Sequence, residues 1–168
     1  MSNRQRLSTR ERVALFELRE AIDYDPLSGT FAWKRGAVSR RCGWISESGY
    51  LRIKVLGRSY MAHHLAWALV RGEWPKMLDH ANGDPLDNRI ANLRPATPRE
   101  NRGNAKVNAN NVSGLKGVQF HPHTGRWRAR IRKHGRLVAL GLFDTPEKAH
   151  AAYVAAAADV FGAFARAK

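Results

Sequence analysis

The chain has 168 residues, 43 % of them apolar, which allows one domain or two small ones with a packed core. Twenty-nine Lys and Arg against fourteen Asp and Glu leave a net charge of +15, the balance of a protein that holds a polyanion; nucleic acid leads, ahead of a ribosome or a membrane surface. One cysteine, Cys42, excludes an internal disulfide and a multi-cysteine zinc site, and no apolar stretch reaches the roughly 18 residues of a spanning helix.

The first segment, MSNRQRLSTRERVALFELRE, reads as a short amphipathic helix without a signal-peptide core, which places the protein in the cytoplasm; residues 1–19 either pack on the core or form a basic arm ordered on DNA. YDPLSGTFAWK carries a turn signal, Pro26 to Gly29, ahead of an aromatic alternation, and GYLRIKVLGRSYMAH alternates apolar and polar residues around Gly57, so both predict hairpins. HHLAWALVRGEWP spaces Leu65, Ala66, Leu69 and Val70 at helical intervals and stops at Gly72 and Pro75. KMLDH then predicts a short strand, ANGDP a turn, NLRPA a second strand, and TPREN a helix start with Thr97 at the N-cap, Pro98 at N1 and Glu100 closing a capping box. NRGNAKVNANNVSG has linker composition.

Charge divides along the same lines. Residues 1–58 carry net +6, 59–110 net +2 and 111–168 net +7. Two basic flanks suit a protein whose outer parts grip a backbone while a centre with its own carboxylates does something else. In that centre, a compact strand–loop–strand–helix unit brings Asp79, His80 and Asn101 towards one point. Oxygen donors from Asp and Asn suit a hard cation, Mg²⁺ or Mn²⁺ in preference to zinc, which takes its remaining ligands from water and phosphate. A histidine titrating near neutral pH beside it is placed to take a proton from an attacking water, which is the chemistry of backbone hydrolysis in a nucleic acid. The bland alternative is an Asn-rich surface turn, with His63 and His64 structural, Asn88 and Arg89 stabilising the loop, and Arg94 on a phosphate or on Glu100.

AHHLAW, DHANGDPLDNRIANLR and ATPREN resemble the HNH endonucleases of phages and mobile introns, in the subgroup whose last motif position is Asn. The resemblance spans roughly residues 20–105 and implies a ββα-metal site: Asp79 and Asn101 as metal ligands, His80 as general base, and Asn92 orienting the His80 imidazole through a hydrogen bond. It also implies products with a 3′-hydroxyl and a 5′-phosphate. His63 matches the first His of the relatives' AHRLAW, where Arg commonly follows; here His64 stands in that place, at the cost of one phosphate contact.

The remaining block reads as three strands and a helix: GVQFH, RWRARIR and LVALGLF, joined by PHTG and KHGR turns, then PEKAHAAYVAAAADVFG capped by Thr145. Period two places Trp127, Ala129 and Ile131 on one face of the second strand and Arg126, Arg128, Arg130 and Arg132 on the other. Such a row is either a solvated face or a nucleic-acid contact, and like charges along a strand destabilise it unless something neutralises them. Ala149, Ala152, Tyr153 and Ala156 form a stripe small enough to let the helix lie on the sheet. SGLKGV, GRWRARI, LGLFDTPEKAHAAY and the closing FG resemble the Apetala/ethylene-response-factor DNA-binding domain. That resemblance implies DNA contact from Gln119, His121, Arg128, Arg130 and Arg132, while the family's strand-three Arg and Trp contacts fall near Leu137 and Ala139.

The expected architecture is α+β: residues 1–19 a basic helix or arm, 20–105 a ββα-metal core with N-terminal β-hairpins, 106–113 a linker, and 114–168 a three-stranded antiparallel sheet packed on one helix. The expected activity is a metal-dependent, homing-endonuclease-like cleavage of double-stranded DNA by a monomer or weak homodimer in a bacterial host cell, with no membrane. The competing expectation is a DNA-binding regulator whose nuclease centre has decayed.

Overall fold

The computed structural model describes residues 9–34, 42–108 and 110–166. It is α+β, with several small antiparallel sheets, and its compact units are Met1–Pro95 and Ala96–Lys168.

In the first unit, α1 (Thr9–Ala21) sets Leu15 and Leu18 one turn apart and buries both, and the stripe continues into Ile22 at the start of β1. β1 (Ile22–Asp25) and β2 (Thr30–Trp33) form the first hairpin. Its turn is closed by Asp25: the backbone oxygen accepts from Gly29 N–H at 2.8 Å, and the carboxylate accepts from Leu27 N–H and Ser28 Oγ–H.

A second sheet takes β3 (Trp44–Ile45), β4 (Leu51–Val55) and β5 (Arg58–Met61) in that order. Sequence alternation found β4 and β5; β3 is too short to show a period. β5 runs directly into α2 (Ala62–Arg71), whose C-cap Gly72 adopts the left-handed conformation with its N–H on Ala68 O. Leu65 and Ala66 are fully buried as expected, but Val70 is exposed and Trp67 goes inward instead, with its indole N–H on Glu73. Arg19 of α1 donates to Leu69 O at 2.9 Å. These elements enclose one core in which Leu18, Ile53 and Leu65 lose all contact with water, each worth about 1.5–3 kcal/mol relative to exposure. Cys42 lies in the same core, where burial pushes its thiol pKa up.

β6 (Leu78–His80) and β7 (Leu93–Pro95) pair as a two-stranded sheet closed by a long loop and a single 3-10 turn, Ile90–Asn92.

The second unit begins ahead of the segment that composition marks as linker. α3 (Pro98–Asn104) starts at the expected capping box: Thr97 Oγ1 accepts from Glu100 N–H, and Glu100 Oε2 accepts from Thr97 N–H at 2.7 Å. Arg99 donates to Val160 O, and Lys116 Nζ donates to Gly103 O and Ala105 O at 2.6 Å, so α3 is held by residues of this unit. β8 (Val118–His121), β9 (Arg126–Lys133) and β10 (Arg136–Phe143) form the expected meander, and α4 (Pro146–Phe161) lies on its inner face. Gly117 makes that approach possible: it sits at φ +75°, and a Cβ there would stand 2.0 Å from the Tyr153 ring. Val118, Ala129 and Ala149 are buried together, and Ile131 packs with Tyr153, Ala157 and Phe161.

Candidate functional site

The β6–β7 register puts Asp79 opposite Arg94 and His80 opposite Leu93. All three β6 residues are buried; Asp79 and His80 are each only 5 % exposed, which is unusual for polar groups and demands partners. Arg94 supplies one, with Nε and Nη2 at 2.9 and 2.8 Å from the same Asp79 oxygen, Oδ2. Arg94 is thus a strand-to-strand partner of Asp79.

The loop after His80 is ordered by short-range bonds. Gly83 N–H closes a turn on His80 O, and Ala81 N–H reaches Asn92 O, both at 2.8 Å. Asn82, Asp84 and Asp87 each accept a backbone N–H two residues on, the preference that makes Asn and Asp turn formers. Asp87 also takes a two-point contact from Arg89 at 2.8 and 2.6 Å, and Arg89, with Asn82, holds its carboxyl at about 2. Both ends of the Asn92 carboxamide are spent on this loop: Oδ1 accepts from Asn82 N–H at 3.0 Å and Nδ2 donates to Asp87 O at 2.8 Å.

Asn92 therefore fixes the loop, while the neighbouring Asn88 amide favours the protonated His80 imidazole, against the drop that burial causes. Asn88 Oδ1 makes no hydrogen bond among the described residues, while Nδ2 donates to Leu86 O. Asn88 is itself only 2 % exposed and is tied to β1 by the Tyr24 hydroxyl, which donates to Asn88 O at 2.7 Å. The DNR run does not reveal this placement, because it depends on a contact with a strand more than sixty residues away.

Around His80 the aromatic rings cluster, with His63 edge-on to it. His63, in the first turn of α2, stands 4.9 Å from it at an interplanar angle of 72°, and His64 and Tyr50 lie 4.8 and 5.4 Å from His63. Tyr50 also reaches His80 at 6.0 Å. Burial is the main cause that lowers the pKa of all three histidines; for His63, helped by His80 and His64, it falls to about 3. Asn88, Asp79, Asp84 and Asp87 oppose the drop at His80. The site thus offers a buried, neutral imidazole next to a carboxylate. Tyr50 was missed by sequence reasoning, since a tyrosine after Ser-Gly at a strand start has no motif to mark it.

Asn101 falls in α3 of the second unit, its backbone N–H on Thr97 O at 3.0 Å. Among the described residues no three His, Cys, Asp or Glu are grouped to hold a metal ion.

In the second unit, β9 alternates as expected. Ala129 and Ile131 are buried against α4, and Arg126, Arg128, Arg130 and Arg132 share the opposite face. Gln119, across from Arg128 in the register, answers the self-repulsion of that row: its Oε1 accepts from Arg128 Nη2 at 3.1 Å and from Arg130 Nη2. Burial first, and Arg128 second, lower the Arg130 pKa. Arg128 Nε is buried without a protein acceptor. Arg126 is engaged by Asp144 at 2.7 Å and Arg132 by Gly135 O at 2.8 Å, while His121 Nδ1 meets Thr124 Oγ1 at 3.0 Å. Leu137 and Ala139 sit opposite Arg132 and Arg130, so the β10 part of this face is apolar. A cleft of about 440 Å³ opens beside it, lined by Asn108, Asn110, Gln119, Phe120 and Arg130.

A strand–loop–strand holding a buried Asp-His pair marks the first unit, and a helix-backed sheet presenting arginines marks the second. Residues 60–102 match the HNH endonuclease family model, and residues 113–163 match the AP2 domain model. The chain thus combines an HNH endonuclease domain with a C-terminal AP2-type DNA-binding domain. "Protein 3.8" of Escherichia phage T7 is 37 % identical over 76 residues, covering 44 % of this chain and 63 % of the phage protein, so the match spans less than two thirds of that relative. The "Uncharacterized HNH endonuclease L560" of Acanthamoeba polyphaga mimivirus is 29 % identical over 143 residues, covering 82 % of this chain and 74 % of the relative. Among the described residues no helix is long and apolar enough to cross a membrane.

Proposed function

We propose that the protein is a homing-endonuclease-like, metal-dependent enzyme that hydrolyses a phosphodiester of double-stranded DNA, held on its substrate by the β8–β10 sheet. The observation that carries the reading is the His80 imidazole, buried and biased to its neutral form beside Asp79. A neutral imidazole can take the proton of an attacking water, whereas a solvent-exposed DNA-binding loop has no use for one.

In this reading Asp79 and Asn101 of a ββα-metal site hold Mg²⁺, or Mn²⁺, which stabilises charge on the scissile phosphate and its leaving oxygen. Asn92 keeps the loop in register, Asn88 and His63 support the His80 ring, and Arg94, the partner of Asp79, contacts a phosphate. Gln119, His121, Arg126, Arg128, Arg130 and Arg132 contact the DNA, with Arg128 and Arg130, already aligned by Gln119, reading the major groove or its phosphates. Products carry a 3′-hydroxyl and a 5′-phosphate. The enzyme works as a monomer or weak homodimer in the cytoplasm of a bacterial host.

The test is cleavage of supercoiled plasmid with Mg²⁺, Mn²⁺ or EDTA, for the wild type and His80→Ala. Metal-dependent nicked or linear product, lost in the variant, is expected. Tight salt-sensitive binding without cleavage in any metal would replace this reading with that of a DNA-binding regulator.

A further inference from the structure

The outer face of the β3–β4–β5 sheet has no part in the chemistry above. Strand alternation sends Ile53 and Val55 into the core and Arg52 and Lys54 outward. The register places Trp44 and Met61 on either side of Arg52 in one cross-strand row, with Ser59 opposite Lys54. β3 can lie this close only because residue 43 is glycine: at φ +96°, a Cβ would stand 2.2 Å from Arg52 O.

The row is built for display. The Trp44 indole is 47 % exposed and Met61 36 %, a large apolar area to leave in water next to two cations. Arg52 makes its one side-chain hydrogen bond through Nε, to Ser59 Oγ at 3.1 Å, so its terminal nitrogens meet no protein acceptor among the described residues. No residue of the three strands is acidic; between Trp44 and Met61 the one carboxylate is Glu47, in the β3–β4 turn.

We propose that this face binds a single-stranded segment of nucleic acid, with one base stacked on Trp44 and neighbouring phosphates on Arg52 and Lys54. Charge complementarity selects a polyanion, and the exposed indole selects its form. A base in a duplex has both faces covered by its neighbours, whereas an unpaired base is free to stack on an aromatic side chain. Arg52 and Lys54 stand two residues apart, about 6.6 Å along the strand, so they can meet phosphates on one continuous backbone.

The experiment titrates the full-length protein, in EDTA, against fluorescein-labelled oligothymidylate and a mixed-sequence duplex, read by anisotropy at several salt concentrations. Trp44→Ala should weaken oligothymidylate binding about tenfold and duplex binding less than twofold. Arg52→Ala with Lys54→Ala should reduce the slope of log affinity against log salt on the oligonucleotide by about 1.4. Lys54→Glu, at an exposed position, should also weaken oligothymidylate binding and guards against a folding defect at Trp44. Unchanged oligothymidylate affinity in Trp44→Ala and Lys54→Glu would overturn the proposal, and so would an equal loss on duplex. Because EDTA removes cleavage from the readout, the result stands whether or not the nuclease reading survives.

Discussion

The β6–β7 loop and the β8–β10 sheet are both rich in polar side chains, yet they treat charge in opposite ways. Around His80 the ionisable groups are answered locally: Arg94 by the buried Asp79, the exposed Arg89 by Asp87, and three imidazoles biased to their neutral forms. On β9 the arginines are gathered on one side, and those at 128 and 130 share one amide oxygen in place of a carboxylate. The first arrangement answers each charge within the site. The second keeps positive potential available to a ligand, at some cost in self-repulsion.

Variants can break this contrast. The largest effect is expected from His80→Ala, which should lower the cleavage rate by about 10²–10⁴ and leave DNA affinity nearly unchanged, as compared in nicking and anisotropy assays. Arg94→Ala should cost about 3 kcal/mol of stability in urea melts, because the Asp79 carboxylate stays buried without its guanidinium. Arg128→Ala with Arg130→Ala should do the reverse of His80→Ala: weaker binding and a salt slope smaller by about 2, with the fold intact by circular dichroism.

Acid should act on the first unit. His63 stays neutral to about pH 3 when folded, against an ordinary 6.5, so the unfolded chain takes up the proton first. Stability is then full above pH 6.5 and falls by about 1.4 kcal/mol per pH unit on acidification towards 3. Urea melts at pH 7 and 5 should show this slope shrinking in His63→Gln. The smallest effect is expected from Arg126→Ala: its ion pair with Asp144 is exposed on both sides, so melts should move by no more than about 0.5 kcal/mol.

Much of this was legible in the sequence where the cause is local. The Thr97–Glu100 capping box, the Asp25 turn and the β9 alternation are all written within a few residues, and the structure contains each of them. Val70 and Trp67 show the limit. Helical spacing marks Val70 for the stripe and passes over Trp67, yet Val70 is exposed and Trp67 is buried with its indole N–H on Glu73. The site shows the same limit more sharply. Asp79 and His80 stand out in the sequence by type and order, whereas the contacts of Asn88 and Asn92 depend on where a long loop folds back, and that of Tyr50 on a hairpin turn thirty residues away. The Gln119 link between Arg128 and Arg130 requires a cross-strand register that periodicity suggests but does not fix.

Cys42 gives the first unit a built-in reporter. It is the only thiol of the chain and is closed inside a core made wholly of N-terminal residues, with no counterpart behind α4. Its alkylation should wait for an opening of that core, so the labelling rate under native conditions measures the opening free energy of the N-terminal unit by itself. Followed with and without DNA, the same thiol would tell whether substrate held by the arginine sheet is felt in the packing around α2.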